Sequence, residues 1–214
     1  RSTAYPFEVQ RNQNALVEKS NLTGYELSDF LWAKTENIMP TNNLLPLNHR
    51  HLMAGVQVTL VKGHGFGDGE WENLTKQVTI DNTRLKTDIS LQTGDVYVDE
   101  SSNVQAIIPL NSGKDYRAIV VPQIIKSGKV LISVNIDGIP YEYKREEDIV
   151  YHSGKLHRFT LQVIKALPEG DYRINLLEES VLPWQNDLVS HNGAAREYIT
   201  VHVEEGEYIG DVIN

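Results

Sequence analysis

The chain has 214 residues with a hydrophobic share of 40%, enough for one large β domain or two small sandwiches with a real core, so wholesale disorder is excluded. Lys and Arg number 20 against 29 Asp and Glu, a formal net charge of −9, and no basic stripe compensates; nucleic acid is therefore a poor partner. Cysteine is absent, which removes disulfides and thiolate metal sites, and no run approaches the roughly 18 apolar residues of a membrane helix. No charged and apolar leader stands at Arg1, so any export signal is expected outside this sequence.

Along the chain, short alternating stretches dominate. Only Glu26 to Met39 has helical character, and it is short and ambiguous. Val56-Gln57-Val58-Thr59-Leu60 presents one apolar and one polar face, as do Val78-Thr79-Ile80 and Ile89-Ser90-Leu91; period two with β-branched residues predicts half-buried strands. Val130, Ile132, Val134 and Ile136 share a face, followed by Asp137-Gly138 and then Ile139 to Tyr143. Asp-Gly between two such runs predicts a tight hairpin. Phe159, Leu161 and Val163 predict the next strand, Tyr172, Ile174 and Leu176 another, and Ile199, Val201 and Val203 a last one. Clusters at Gly63 to Gly69, Asn111 to Gly113 and His191 to Gly193 read as loops. Without helices alternating with the strands a parallel α/β fold is disfavoured. The expectation is an all-β, antiparallel architecture of two tandem sandwiches, with a join between Thr93 and Asn103.

No catalytic, cofactor-binding or metal residue emerges. His49 and His51 would share a strand face, but a zinc site needs further ligands at a recognisable spacing. His152 and His157 differ in parity, and His64, His191 and His202 are isolated. Asp68, Glu70 and Glu72 fail the offsets of an EF-hand loop and read as solvated turn acids. His64 to Gly69 lacks the Lys-Ser/Thr ending of a phosphate loop, and no nucleophile elbow occurs. Glu146-Glu147-Asp148 beside Lys144-Arg145 reads as a charged hairpin end. Trp32, Trp71 and Trp184, with ten tyrosines, suit either core and interface positions or a sugar-stacking platform. Asn21-Leu22-Thr23 and Asn73-Leu74-Thr75 match the glycosylation sequon and read as loop residues.

Several segments in order resemble the fimbrillin-like (type V pilin related) proteins of Bacteroidales. They are Tyr5 to Gln10, Ser28 to Ala33, and His49 to Met53 leading into Val56 to Leu60. Tyr116-Arg117-Ala118-Ile119-Val120-Val121-Pro122-Gln123 is the most specific, followed by the Val130 to Tyr143 hairpin and the Phe159 to Val163 strand. His51 departs from the family pattern by one extra residue, and Arg1 is similar to the start of a fragment or processed form.

The resemblance implies two transthyretin-like sandwiches, residues 1–97 and 98–214, the first lacking its start. It implies a non-enzymatic subunit or lipoprotein, exported and attached at the outer membrane or built into a fimbria. Its partners would be other fimbrial subunits or itself, through strand exchange after an Arg-specific cleavage, with surface receptors or glycans as further candidates. Tyr198 to Glu204 would then either complete the C-terminal sandwich or serve as a donor strand. The alternative from the residues themselves is a monomeric, exported glycan-binding module.

Overall fold

The computed structural model describes residues 4–36, 47–166 and 171–184. In chain order, β1 (Ala4–Glu8) is followed by a helical turn α1 (Gly24–Leu27), then β2 (Leu31–Trp32), β3 (Arg50–His51) and β4 (Ala54–Lys62). A second turn, α2 (Glu70–Asn73), leads to β5 (Lys76–Arg84), β6 (Lys86–Ser90), β7 (Val96–Val98) and β8 (Val104–Ile107). After them come β9 (Leu110–Ser112), β10 (Asp115–Val120), β11 (Ile124–Ile125) and β12 (Val130–Ile136). The last four are β13 (Ile139–Lys144), β14 (Ile149–Val150), β15 (Lys155–Ala166) and β16 (Asp171–Pro183).

Two larger sheets supply most of the core. One has the order β16-β15-β4-β10-β9, the other β13-β12-β5-β8, and a three-stranded sheet β1-β6-β7 continues the N-terminal side. The alternation in the sequence sets their inward faces. Val56, Val58 and Leu60 of β4 and Phe159, Leu161 and Val163 of β15 are buried, as are Val78 and Ile80 of β5 and Ile132, Val134 and Ile136 of β12. All of them join one hydrophobic cluster, in which Tyr116 of β10 crosses between sheets to donate its hydroxyl to the Lys76 carbonyl at 3.2 Å. Between the strands, the expected antiparallel pairing holds with one exception: β15 runs parallel to β4, placing Leu156 opposite Gly55 and Leu161 opposite Leu60. A parallel neighbour requires a long crossover, and here everything from β5 to β14 lies in between.

The Asp137-Gly138 hairpin joins β12 to β13 as the sequence predicts. Both turn residues have positive φ, 50° and 87°, the geometry of a two-residue turn that Gly accepts at no steric cost. Two expectations are corrected. Among the described residues of Glu26 to Met39, helix is confined to α1, where Thr23 and Glu26 form a reciprocal capping box, and the chain then enters β2. Asn111, expected in a loop, lies on β9 of a hairpin with β10. Pairing does not break near residue 97: β4 and β5, before it, lie between β10 and β15 and between β8 and β12, after it, so the described residues 4–184 make one unit. The strand expected at Ile199 to Val203 and the loop at His191 to Gly193 lie outside the described residues.

Two glutamine side chains finish ladders that strands leave incomplete. Beyond the reach of β9, the Ile119 N–H donates to Gln13 Oε1 at 2.7 Å and Gln13 Nε2 donates to the Ile119 carbonyl at 2.7 Å, across 106 positions of sequence. Gln123 repeats the arrangement on Arg84, accepting from its N–H at 2.9 Å and donating to its carbonyl at 3.0 Å. A primary amide carries the same donor and acceptor pair as a peptide group, so each side chain stands in for one strand residue. The Gln13 side chain is fully buried, and removing it strands a donor and an acceptor without water. Gln13→Leu is expected to cost about 3 kcal/mol, read as a lower urea midpoint at unchanged slope, whereas Gln10→Leu, at a position without a side-chain clamp, should cost less than 1 kcal/mol.

Candidate assembly interface

The structure disperses the residues that the sequence singled out for chemistry. His49 is exposed, while His51 is buried, its Nδ1 paired with Asp29 Oδ1 at 2.6 Å and its ring stacked on Trp184 at 4.0 Å with an interplanar angle of 7°. The two therefore do not share a site. Among the described residues no group of three or more His, Asp or Glu is placed to hold a metal ion. Glu70 caps its own loop by accepting from Gly67 N–H at 2.9 Å and pairs with Lys165 at 2.5 Å, which holds its carboxyl below the usual range. Asp148 of the acidic run accepts from Lys126 and from the Ser127 N–H, a hairpin-end role. Thr23 of the first sequon is spent capping α1, and Asn73 of the second closes α2.

The three tryptophans form no platform. Trp32 donates its indole N–H to the Leu91 carbonyl and carries the Arg50 guanidinium 4.8 Å above its ring. Trp71 packs on Phe66 and beneath the Lys76 ammonium. Trp184 closes over His51 and over Gly55, where an added Cβ would meet the indole at 3.4 Å.

Open sheet edges are the remaining feature with functional reach, because an unpaired row of N–H and C=O groups is a template for another strand. Most edges here are blunted. β9, at one end of the five-stranded sheet, is three residues long. β8 is partly covered by the N-terminal segment, where Ile108 N–H donates to the Arg11 carbonyl and Gln13 N–H to the Ile108 carbonyl. β13 carries Pro140 and the charged Glu142 and Lys144, while β1 carries Pro6 and β7 has three residues. Proline and lysine are the usual edge guards.

β16 is different. It runs for 13 residues at the edge of the five-stranded sheet and pairs with β15 along its whole length, with one irregularity between Thr160 and Leu161. Its other side has no strand among the described residues. It exposes four large apolar side chains, Leu176, Leu177 at 55%, Val181 at 48% and Leu182. Leu176 and Val181 lie opposite the buried Leu161 and His157, so they extend the core face of the sheet to its rim. Sequence patterning found this strand through Tyr172, Ile174 and Leu176, yet its length and edge position were not legible, since both depend on the distant β4–β15 pairing.

The profile of the fimbrillin-like family matches residues 1–184, and the chain belongs to that family. It is a structural family of fimbrial subunits, which implies a place at the cell surface. Among solved structures, a candidate cell adhesion protein from Bacteroides uniformis superposes with a TM-score of 0.60 at 14% identity, covering 86% of this chain and 67% of that one. Another from Bacteroides ovatus gives a TM-score of 0.46 at 16% identity, over 65% of this chain and 48% of that one. The tip fimbrial protein Mfa3 from Porphyromonas gingivalis, truncated at its C-terminus, gives 0.41 at 11% identity, over 64% and 52%. The chain thus spans between about half and two thirds of these structures. No curated protein matches it.

Next to the edge strand, His157 links this region to pH. Its Nε2 accepts the His152 N–H at 3.1 Å, and the two rings lie parallel, 6.1 Å apart, because His152 stands in the turn before β15 rather than on the strand. The proton of neutral His157 therefore sits on Nδ1, buried without a partner. Burial, reinforced by His152, pushes its pKa down to about 4. A depressed histidine pKa means that the unfolded chain takes up the proton first, so stability is complete above about pH 6.5 and is lost as pH falls towards 4. Thermal unfolding followed between pH 7 and 4 should show up to ~3 kcal/mol of destabilisation, and His157→Leu should flatten that part of the profile.

Proposed function

We propose that the chain is a non-enzymatic cell-surface fimbrial or adhesive subunit that assembles by β-strand addition on β16. Fimbrillin-like membership supports the subunit role. The observation that carries the mechanism is the contrast among edges: of those in the described residues, β16 alone is long, lacks an internal proline and exposes four large apolar side chains. An incoming strand would gain backbone hydrogen bonds along it, and every second side chain would extend the core past Leu176 and Val181. Its partners are further fimbrial subunits or copies of itself, and attachment at the outer membrane belongs to the same reading. Tyr198 to Glu204, which has the alternation of a donor strand, lies outside the described residues. No specific observation favours a glycan-binding module, since Trp32, Trp71 and Trp184 are each engaged internally.

The test is a concentration series of the full chain by size exclusion with light scattering, before and after limited trypsin treatment. Growth into oligomers is expected for the wild type, and Leu177→Lys with Val181→Lys should abolish it while leaving circular dichroism and thermal midpoint nearly unchanged. A wild type that stays monomeric in every condition, or a double variant that associates equally well, would overturn the assignment of β16.

A further inference from the structure

The outer face of the four-stranded sheet holds an open cleft of about 280 Å³, on a different sheet from β16. It exists because β5 bulges. The ladder with β8 shifts between Ile80 and Thr83, so that Asp81 and Asn82 together oppose the single residue Ala106 and turn out of line, with Asn82 at φ 54°. A depression is left between β8 and β12, closed on the far side by β13.

From this cleft we infer a second binding site, one that takes the guanidinium of an arginine side chain on a partner protein. The lining is rich in acceptors. Asp81 and Glu142 contribute carboxylates, and no cationic residue lines the cleft. Asn82 spends its Nδ2 on the Val130 carbonyl at 2.9 Å, which leaves Oδ1 as an acceptor. The Ser133 hydroxyl lies in the cross-strand row between Glu142 and Thr79, and Thr79 in turn donates to the Asp81 carboxylate. Such a set matches a ligand that donates in several directions and accepts nothing, and guanidinium presents five N–H donors in one plane. Val104, Ala106 and Val130 supply aliphatic surface for the methylene stem of the ligand. The volume suits one long side chain, and the net charge of −9 draws cationic partners. A pyranose is the weaker fit, because no aromatic ring lines the cleft for it to stack on. Lys144 pairs with Glu142 at 2.6 Å from outside the lining, so it competes with the ligand for one of the two carboxylates.

The experiment is an amide NMR titration of the full chain with N-acetyl-arginine methylamide. Its neutral isostere, N-acetyl-citrulline methylamide, and methyl glucosaminide serve as comparison ligands. Saturable shifts confined to Asp81, Asn82, Gln105 and Ser133 are expected with the arginine compound and not with the citrulline one. Asp81→Asn should weaken binding about five-fold, the scale of one exposed charge pair, and Lys144→Met should tighten it by removing the competitor. Equal shifts with citrulline, shifts mapping elsewhere, no saturable shift, or binding by the glucosaminide alone would each overturn the proposal. Because β16 lies on the other sheet, none of these outcomes bears on strand addition, and the Leu177→Lys, Val181→Lys variant should bind arginine as the wild type does.

Discussion

The arrangement turns on the pairing of β4 with β15. β4 is central, antiparallel to β10 on one flank and parallel to β15 on the other, and buries Val56, Val58 and Leu60. Once β15 lies parallel to β4, the hairpin-like return of β16 has only the outside of the sheet to occupy. The strand with the most exposed apolar surface is thereby placed at the rim. Gly55 permits this approach: its missing side chain leaves room for Leu156 and for the Trp184 indole, and a Cβ there would come within 2.9 Å of Leu156. The same glycine thus serves both the pairing and the closure of the sheet end by Trp184, whose backbone N–H donates to the Gly154 carbonyl at 3.0 Å.

Around that centre, ladders that no strand completes are finished by amide side chains. Gln13 and Gln123 each give a donor and an acceptor to one backbone residue, and both are buried. They explain why a Pro-Gln pair follows the apolar run of β10. Pro122 ends the strand, having no N–H to offer, and Gln123 folds back on Arg84, while Gln123 Nε2 also reaches the Val121 carbonyl at 3.0 Å. These sealed positions contrast with β16, whose outer side has no strand among the described residues.

Much of this was legible in the sequence, for a physical reason. Where one strand face is buried and the other wet, as in Val56 to Leu60 or Val130 to Ile136, the alternation is written directly in residue type, and Asp137-Gly138 names its own turn. Partners of a strand are not written that way. Nothing in Val56 to Leu60 says that Phe159 to Val163 will lie beside it in parallel, or that strands before and after residue 97 will pair with one another. The bulge at Asp81-Asn82 escaped notice because Thr79-Ile80-Asp81 continues the alternation and the shift appears only against β8. His51 lies on a strand as its spacing from His49 predicts, but its stack on Trp184 joins residues too far apart for spacing to connect them.

The parallel pair also sets an order of events in time. Gly55 and Leu156 are neighbours in space and about a hundred residues apart along the chain, so the loop-closure entropy must be met before the contact returns anything. During synthesis or emergence across a membrane, β4 and β10 can pair well before β15 exists, and the apolar flank of β4 stays uncovered in the interval. A chain built this way folds slowly, and its most vulnerable species is a half-sheet awaiting its own later strand.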